Sequence, residues 1–252
     1  MGHYAPQENI LRRESYAIDF YALLCYNPHI IKLHKSEENT MKIALINENS
    51  QAAKNAIIVD TLKKVVEPLG HEVFNYGMYS AEDENQLTYV QIGILAAVLL
   101  NSKACDLVIT GCGTGEGAML ACNSFPGVLC GHVVDPTDAY QFTQVNNGNC
   151  IAMPFAKGWG WGAELNLGYV FEKLFVEEWG GGYPKERAVP EQRNARILNE
   201  VKKVTHTDLC YILENLDRDL VKGALAGEKF KDSFFANCQD EKIARCVKAI
   251  IG

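Results

Sequence analysis

From residue 41 onward, apolar and polar positions fall into blocks whose period switches repeatedly between that of a strand and that of a helix. "KIALI" (42–46) reads as a buried strand, and 52–70 follows as an amphipathic helix. Ile58, Leu62, Val65, Val66 and Leu69 lie on its apolar side, and Gly70 is its stop signal. "HEVFNYG" (71–77) reads as a second strand and 86–101 as a second helix. Strands are expected at 106–112, 127–134 and 149–155, with a short helical segment after the third. Strands alternating with helices predict a parallel sheet covered on both faces. In such sheets ligands sit beyond the carboxyl ends of the strands. That rule gathers 47–50, 76–80, 112–117, 135–138 and the residues after 155 around one crevice.

A long helix is expected over 163–179, stopped by "WGGGYP". "RNARILNEVKKV", 207–225 and 240–252 read as further helices, a helical extension on the α/β body. Residues 1–40 have charged clusters, short apolar pieces and no clean period. Met41 is a plausible start of the core, the alternative being an N-terminal arm packed on it. The division is therefore 1–40, an α/β body over 41–203, and a helical extension over 204–252.

Of the 252 residues, 48% are hydrophobic and 22% charged, an ordinary globular composition. The net charge of -7 and the lack of a basic run argue against nucleic acid. "IGILAAVLL" is about half the ~20 residues a bilayer requires, so no membrane span is expected. No secretory signal is visible at the start, and a cytoplasmic location is expected. Nine cysteines, an odd number, are scattered without CxxC pairs or metal-like Cys/His spacing. Free, mostly buried thiols are expected, with no metal site.

"VITGCGTGEGAML" (108–120) carries the chemistry. Gly113, Gly115 and Ala118 fit the G-x-G-x-x-A dinucleotide fingerprint, and Asp135 lies about 20 positions on. That fingerprint normally follows the first strand of its unit, whereas two strand–helix units precede this one. A phosphate loop fails because no Gly-Lys-Ser/Thr closes it. The third reading rests on Cys112: a thiol at a strand tip beside the N–H groups of a glycine turn that opens a helix. Helix N-termini stabilise negative charge, so such a thiol suits removal of a carbon-bound proton.

"MKIALINEN", "HEVFNYG", "VITGCGTGEGAMLACNSFPGV", "VDPTDA" and "QVNNGNCIAM" together resemble the ribose-5-phosphate isomerase B / galactose-6-phosphate isomerase family, over roughly 41–203. The resemblance implies a three-layer α/β/α Rossmann-like fold with a five-stranded parallel sheet, a homodimer, and aldose–ketose exchange of a phosphorylated sugar through a cis-enediolate. It implies no metal and no organic cofactor. Cys112 takes the place of the base, with Thr114 beside the sugar hydroxyls. Gly113, Gly115 and Gly117 resemble the anion hole, Asn146 the asparagine that holds the enediolate, and Arg193 and Arg196 the phosphate ligands. Glu48 and Asn49 replace the family's Asp-His, and Asp135 falls in the substrate region. Val134 stands where the family has its ring-opening histidine, and His132 lies two residues back. Ring opening is left to Asp135, Asp138 or Glu48, or is not needed because the substrate is open-chain. Glu116 stands where the family has an apolar residue, and an insertion bears Arg187. The alternatives are a non-catalytic sensor of sugar phosphate or nucleotide, and an NAD-dependent enzyme.

Overall fold

Continuous apolar runs such as 43–46 and 107–109 have no polar face to give to water, so they belong in the middle of a sheet. The computed structural model, which describes residues 40–252, places them there. The expectations for the first 39 residues fall outside the described part. Five parallel strands, β1 (Lys42–Asn47), β2 (Glu72–Asn75), β3 (Leu107–Cys112), β4 (Cys130–His132) and β5 (Cys150–Pro154), lie in the order β2-β1-β3-β5-β4. The order reverses between β1 and β3, so the crevice of the fold opens where Asn47 and Cys112 end their strands.

One face of the sheet carries α1 (Asn55–Val66), α4 (Pro136–Gln141) and α5 (Ala163–Leu174) over Ile43, Leu45, Ile109, Ile151 and Met153. The other carries α2 (Tyr89–Asn101) and α3 (Glu116–Asn123). α2 is apolar all round and buried from Gln91 to Leu100, because sheet and C-terminal helices enclose it. Thr88 and Gln91 form a capping box at its start. No described helix is long and apolar enough to cross a membrane.

α6 (Ala188–Thr205) starts five residues before the expected "RNAR" helix, and Pro190 fits its first turn, where N–H groups lack partners. The expected helix over 163–179 stops at Leu174. The glycine run beyond it turns back, with Gly180 and Gly182 donating to the carbonyls of Thr143 and Gln144 (2.9 and 3.1 Å). The helix expected over 207–225 divides into α7 (Leu209–Asn215) and α8 (Arg218–Ala224), because Asp217 caps a new start through Leu220 N–H. α9 (Glu228–Asn237) went unread in the sequence, and α10 (Glu241–Ile251) closes the chain.

These last four helices share the core of the body. Phe230 stacks on Phe234 at 4.7 Å and meets Tyr76, and Leu209, Val221 and Val247 join the cluster around α2. The apolar core is thus continuous across 203–204. Phe234→Ala is expected to cost about 3–5 kcal/mol and to shift one shared urea transition, followed by circular dichroism. A separate early transition would show that the C-terminal helices fold as a unit of their own.

Candidate active site

At the end of β3 the backbone runs closer to its neighbours than any side chain allows. A Cβ on Gly111 would collide with the Met153 carbonyl. Gly115 has φ +80°, and a Cβ there would lie 2.7 Å from His132 Nε2. Glycine is the residue that adopts this left-handed turn without penalty. The turn brings the Gly115 N–H to 3.2 Å from Cys112 Sγ, to which it donates, and starts α3 at Glu116. Thr114 Oγ1 lies 3.9 Å from the same sulfur and accepts the Glu116 N–H. Cys112 is half-buried and Thr114 is exposed, so both reach the crevice. Of the three glycines expected in the anion hole, Gly115 has its N–H on the thiol, leaving those of Gly113 and Gly117. Gly117 lies in the first turn of α3, where N–H groups have no intrahelical acceptor.

His132 sits beneath this loop. Its Nε2 lies 2.9 Å from the Thr114 carbonyl, which anchors the turn. The imidazole thus supports the loop. Val134 is half-buried at the strand end, its carbonyl accepting from Asn166. Two of the groups left for ring opening are engaged elsewhere. Asp135 Oδ1 caps α4 through the N–H groups of Thr137 and Asp138, and Asp138 Oδ2 accepts the Val134 N–H.

Across the crevice, Glu48 is buried and caps the 3-10 turn 49–54, accepting from Ser50 N–H (2.8 Å) and Ser50 Oγ (2.6 Å). Asn49 is exposed at the mouth. Gln51 and Lys54 complete this wall, and sequence reasoning missed both. Gln51 Nε2 donates to Ser50 Oγ and faces Gly113. Lys54 Nζ donates to Gln51 Oε1 and to the Phe155 carbonyl, both at 2.6 Å, and lies 4.6 Å from the centre of the Trp159 ring. Partial burial draws the Lys54 ammonium below its usual range, and Glu48 pulls it back up. The signal that could have found them is their i, i+3 spacing in the first turn after β1. A cleft of about 190 Å³ continues from Val134 and Pro154 to Lys157, Trp159, Trp161 and Asn166.

Asn146, Arg193 and Arg196 are not at this crevice. Asn146 lies four residues before β5, at the amino edge of the sheet, while Cys112 pairs with Pro154 at the other end of that strand. The strand alone separates them by about 13 Å, at roughly 3.3 Å per residue. α6 runs along that same amino edge. Gln192 donates to Gln144 O, and Lys202 to Asn123 O. Arg193 and Arg196 are exposed on the outer side of α6, beside Ile197, Val201 and Val204. Arg187, in the insertion, pairs with Glu191 on the surface. On the crevice side, the described cations are Lys54, held by the Phe155 carbonyl, and Lys157, which lines the cleft beside it.

Residues 43–188 match the family model described as Ribose/Galactose Isomerase, and 204–250 match one described as Ribose-5-phosphate isomerase. The chain is 64% identical to a 4-deoxy-L-threo-5-hexosulose-uronate ketol-isomerase crystallised with a tartrate, over 84% of this chain and 99% of that one, with a TM-score of 0.82. It is 52% identical to a ribose-5-phosphate isomerase from Vibrio parahaemolyticus, over 84% and 100% of the chains, TM-score 0.82. A type B ribose 5-phosphate isomerase from Trypanosoma brucei shares the fold at 18% identity, over 65% and 99%, TM-score 0.53.

The two loop glycines make opposite demands. Gly115→Ala is expected to destabilise the protein by at least about 1–2 kcal/mol from its left-handed backbone alone. Gly117→Ala should be neutral or stabilising by about 0.5–1 kcal/mol, since its Cβ would meet Tyr89 at an ordinary 3.4 Å. Thermal unfolding of the two variants checks the contrast.

Proposed function

The chain belongs to the ribose/galactose isomerase family, and on that premise we propose that it interconverts an aldose and a ketose with Cys112 as base, on an open-chain sugar acid. The Cys112 thiolate takes the proton from C2 of the aldose. The electron pair forms the C1–C2 double bond of an enediolate, and negative charge builds on O1. The N–H groups of Gly113 and Gly117 receive that charge, and Thr114 Oγ1 is placed to hold a neighbouring hydroxyl. The thiol then returns the proton to C1, and the O2 proton passes to O1 or solvent, leaving the ketose. Preorganised N–H donors of this kind carry much of the barrier reduction in such reactions.

The observation that carries the substrate class is that no imidazole is free at the end of β4 and both nearby aspartates are engaged at the start of α4. Val134 stands there, His132 is bound to the Thr114 carbonyl, and Asp135 and Asp138 serve the cap of α4. A closed-ring aldose needs an acid–base group to open it. The substrate in the name of the 64% identical relative needs none. It is 4-deoxy and carries a ketone at C5, so neither a C4 nor a C5 hydroxyl exists to close a ring onto C1. Its far end is a carboxylate rather than a phosphate, which suits a lysine ammonium such as that of Lys54. A phosphorylated pentose is the second reading, supported by the name of the 52% identical relative.

The role that the family resemblance gives Asn146 is open to it only from a second copy of the chain. We assign that copy to the exposed apolar side of α6, where Val204 is 87% and Ile197 53% exposed. Val201→Glu on this face should shift the protein from dimer to monomer in analytical ultracentrifugation.

The deciding experiment compares turnover of 4-deoxy-L-threo-5-hexosulose-uronate and ribose 5-phosphate by the full chain. The uronate is expected to be preferred in kcat/KM. Cys112→Ala should lower kcat by about 10²–10⁴-fold and abolish exchange of the C2 proton with deuterated solvent. Lys54→Met should act mainly on KM for the uronate. Equal or better use of ribose 5-phosphate would select the second reading, and normal turnover by Cys112→Ala would remove the thiol from the mechanism.

A further inference from the structure

On the far side of α3 from the thiol loop, three cysteines that are distant in sequence meet. Cys122 lies in the last turn of α3, Cys130 opens β4 and Cys150 opens β5. Their sulfur atoms lie within 4.8 Å of one another. Cys122 and Cys150 are fully buried, and Cys130 is 9% exposed. The arrangement is held from several sides. Cys130 and Cys150 are register partners in the sheet. The Asn123 side chain joins α3 to β4, donating to the Cys130 carbonyl (2.8 Å) and accepting its N–H (3.0 Å).

A second, independent feature is Lys202. This α6 side chain is only 9% exposed, and its ammonium donates to the carbonyls of Asn123 and Val128. It takes part in none of the ion pairs among the described residues. A buried ammonium is costly without a compensating negative charge. The three thiols are the groups beside it that can supply one.

We propose that Cys122, Cys130 and Cys150 form a binding site for a thiophilic closed-shell cation, with Lys202 balancing the thiolate charge. Sulfur ligands select Cu⁺ and Zn²⁺ over harder ions. At a metal–sulfur distance of about 2.3 Å, a trigonal set places its sulfurs about 4.0 Å apart, inside the 4.8 Å within which the three lie. No fourth His, Cys, Asp or Glu joins the cluster among the described residues. Structural Zn²⁺ is almost always four-coordinate, so the donor count favours Cu⁺. Each thiol that binds releases its proton to solvent, so binding strengthens as pH rises. The ion would clamp the C-terminal end of α3 to β4 and β5, the same helix whose first turn frames Cys112. The site is independent of the substrate assigned above.

The test uses the reduced full chain under anaerobic conditions. Cu⁺ is supplied from a chromophoric chelator, and Zn²⁺ is titrated separately against a metal-indicator dye. One equivalent of Cu⁺ should be held against the chelator, with three sulfur neighbours in X-ray absorption spectra. Cys112→Ser should keep that equivalent, and Cys130→Ser and Cys150→Ser should lose it. Lys202→Met should weaken binding by about 10–100-fold, whereas a lysine that only caps the end of α3 would leave affinity unmoved. Should the cysteine variants fail to fold, the wild-type spectrum and Lys202→Met decide the matter. Retention of neither ion, fewer than three sulfur neighbours, or binding undisturbed in Cys130→Ser overturns the site. Retention of Zn²⁺ alone overturns the choice of Cu⁺.

Discussion

The contact on which the architecture turns is that of the Gly115 backbone with the His132 ring beneath it. β3 could continue outward past Cys112. Instead the left-handed residue at 115 folds the chain back onto β4 and β5, and the imidazole holds the turn by the Thr114 carbonyl. That geometry starts α3 one residue later, with the Gly115 N–H on the thiol. It also sets the axis of α3, which docks on α2 and carries Cys122 to the opposite edge of the sheet. A side chain at 115 would have to displace His132, and the turn, the thiol's partner and the helix would move together.

The polar groups of the crevice are then apportioned by local backbone needs. Glu48 is consumed by the 3-10 turn after β1, and Asp135 and Asp138 by the start of α4. Carboxylates at such positions satisfy orphan N–H groups that would otherwise be costly. What remains directed at the crevice is the thiol, the Thr114 hydroxyl, backbone N–H groups and the lysines at 54 and 157. This is a set suited to moving a proton between adjacent carbons and poorly suited to opening a sugar ring. Along the opposite edge, α6 exposes arginines and valines together. Such an amphipathic surface suits a partner chain better than it suits a small anion.

Much of the fold was legible in the residues. The apolar runs at 43–46 and 107–109, the amphipathic period of 55–66 and the glycine turn after Cys112 each carry a local signal, and each element appears where its signal lies. The break at Leu216 and the extra helix at 228–237 were less visible. A single capping aspartate decides the first, and Phe230 and Phe234, which make the second worth burying, have their partners far away in sequence. Lys54 was hidden because an exposed-looking lysine on an amphipathic helix gains its meaning only when Phe155 and Trp159 are folded over it.

The sequence by itself determined what short-range physics can encode: which segments are strands and helices, and that Cys112 and Thr114 share one turn. These follow from period, steric limits and residue chemistry within a few positions. Only the tertiary structure decided which edge of the sheet each motif occupies. It sent Asn146, Arg193 and Arg196 to the amino edge, away from Cys112, because a parallel sheet places successive connections at opposite ends. It placed His132 beneath the loop, on the Thr114 carbonyl. It also gathered Cys122, Cys130 and Cys150, which no spacing rule connects, because strand register brings distant residues to neighbouring positions.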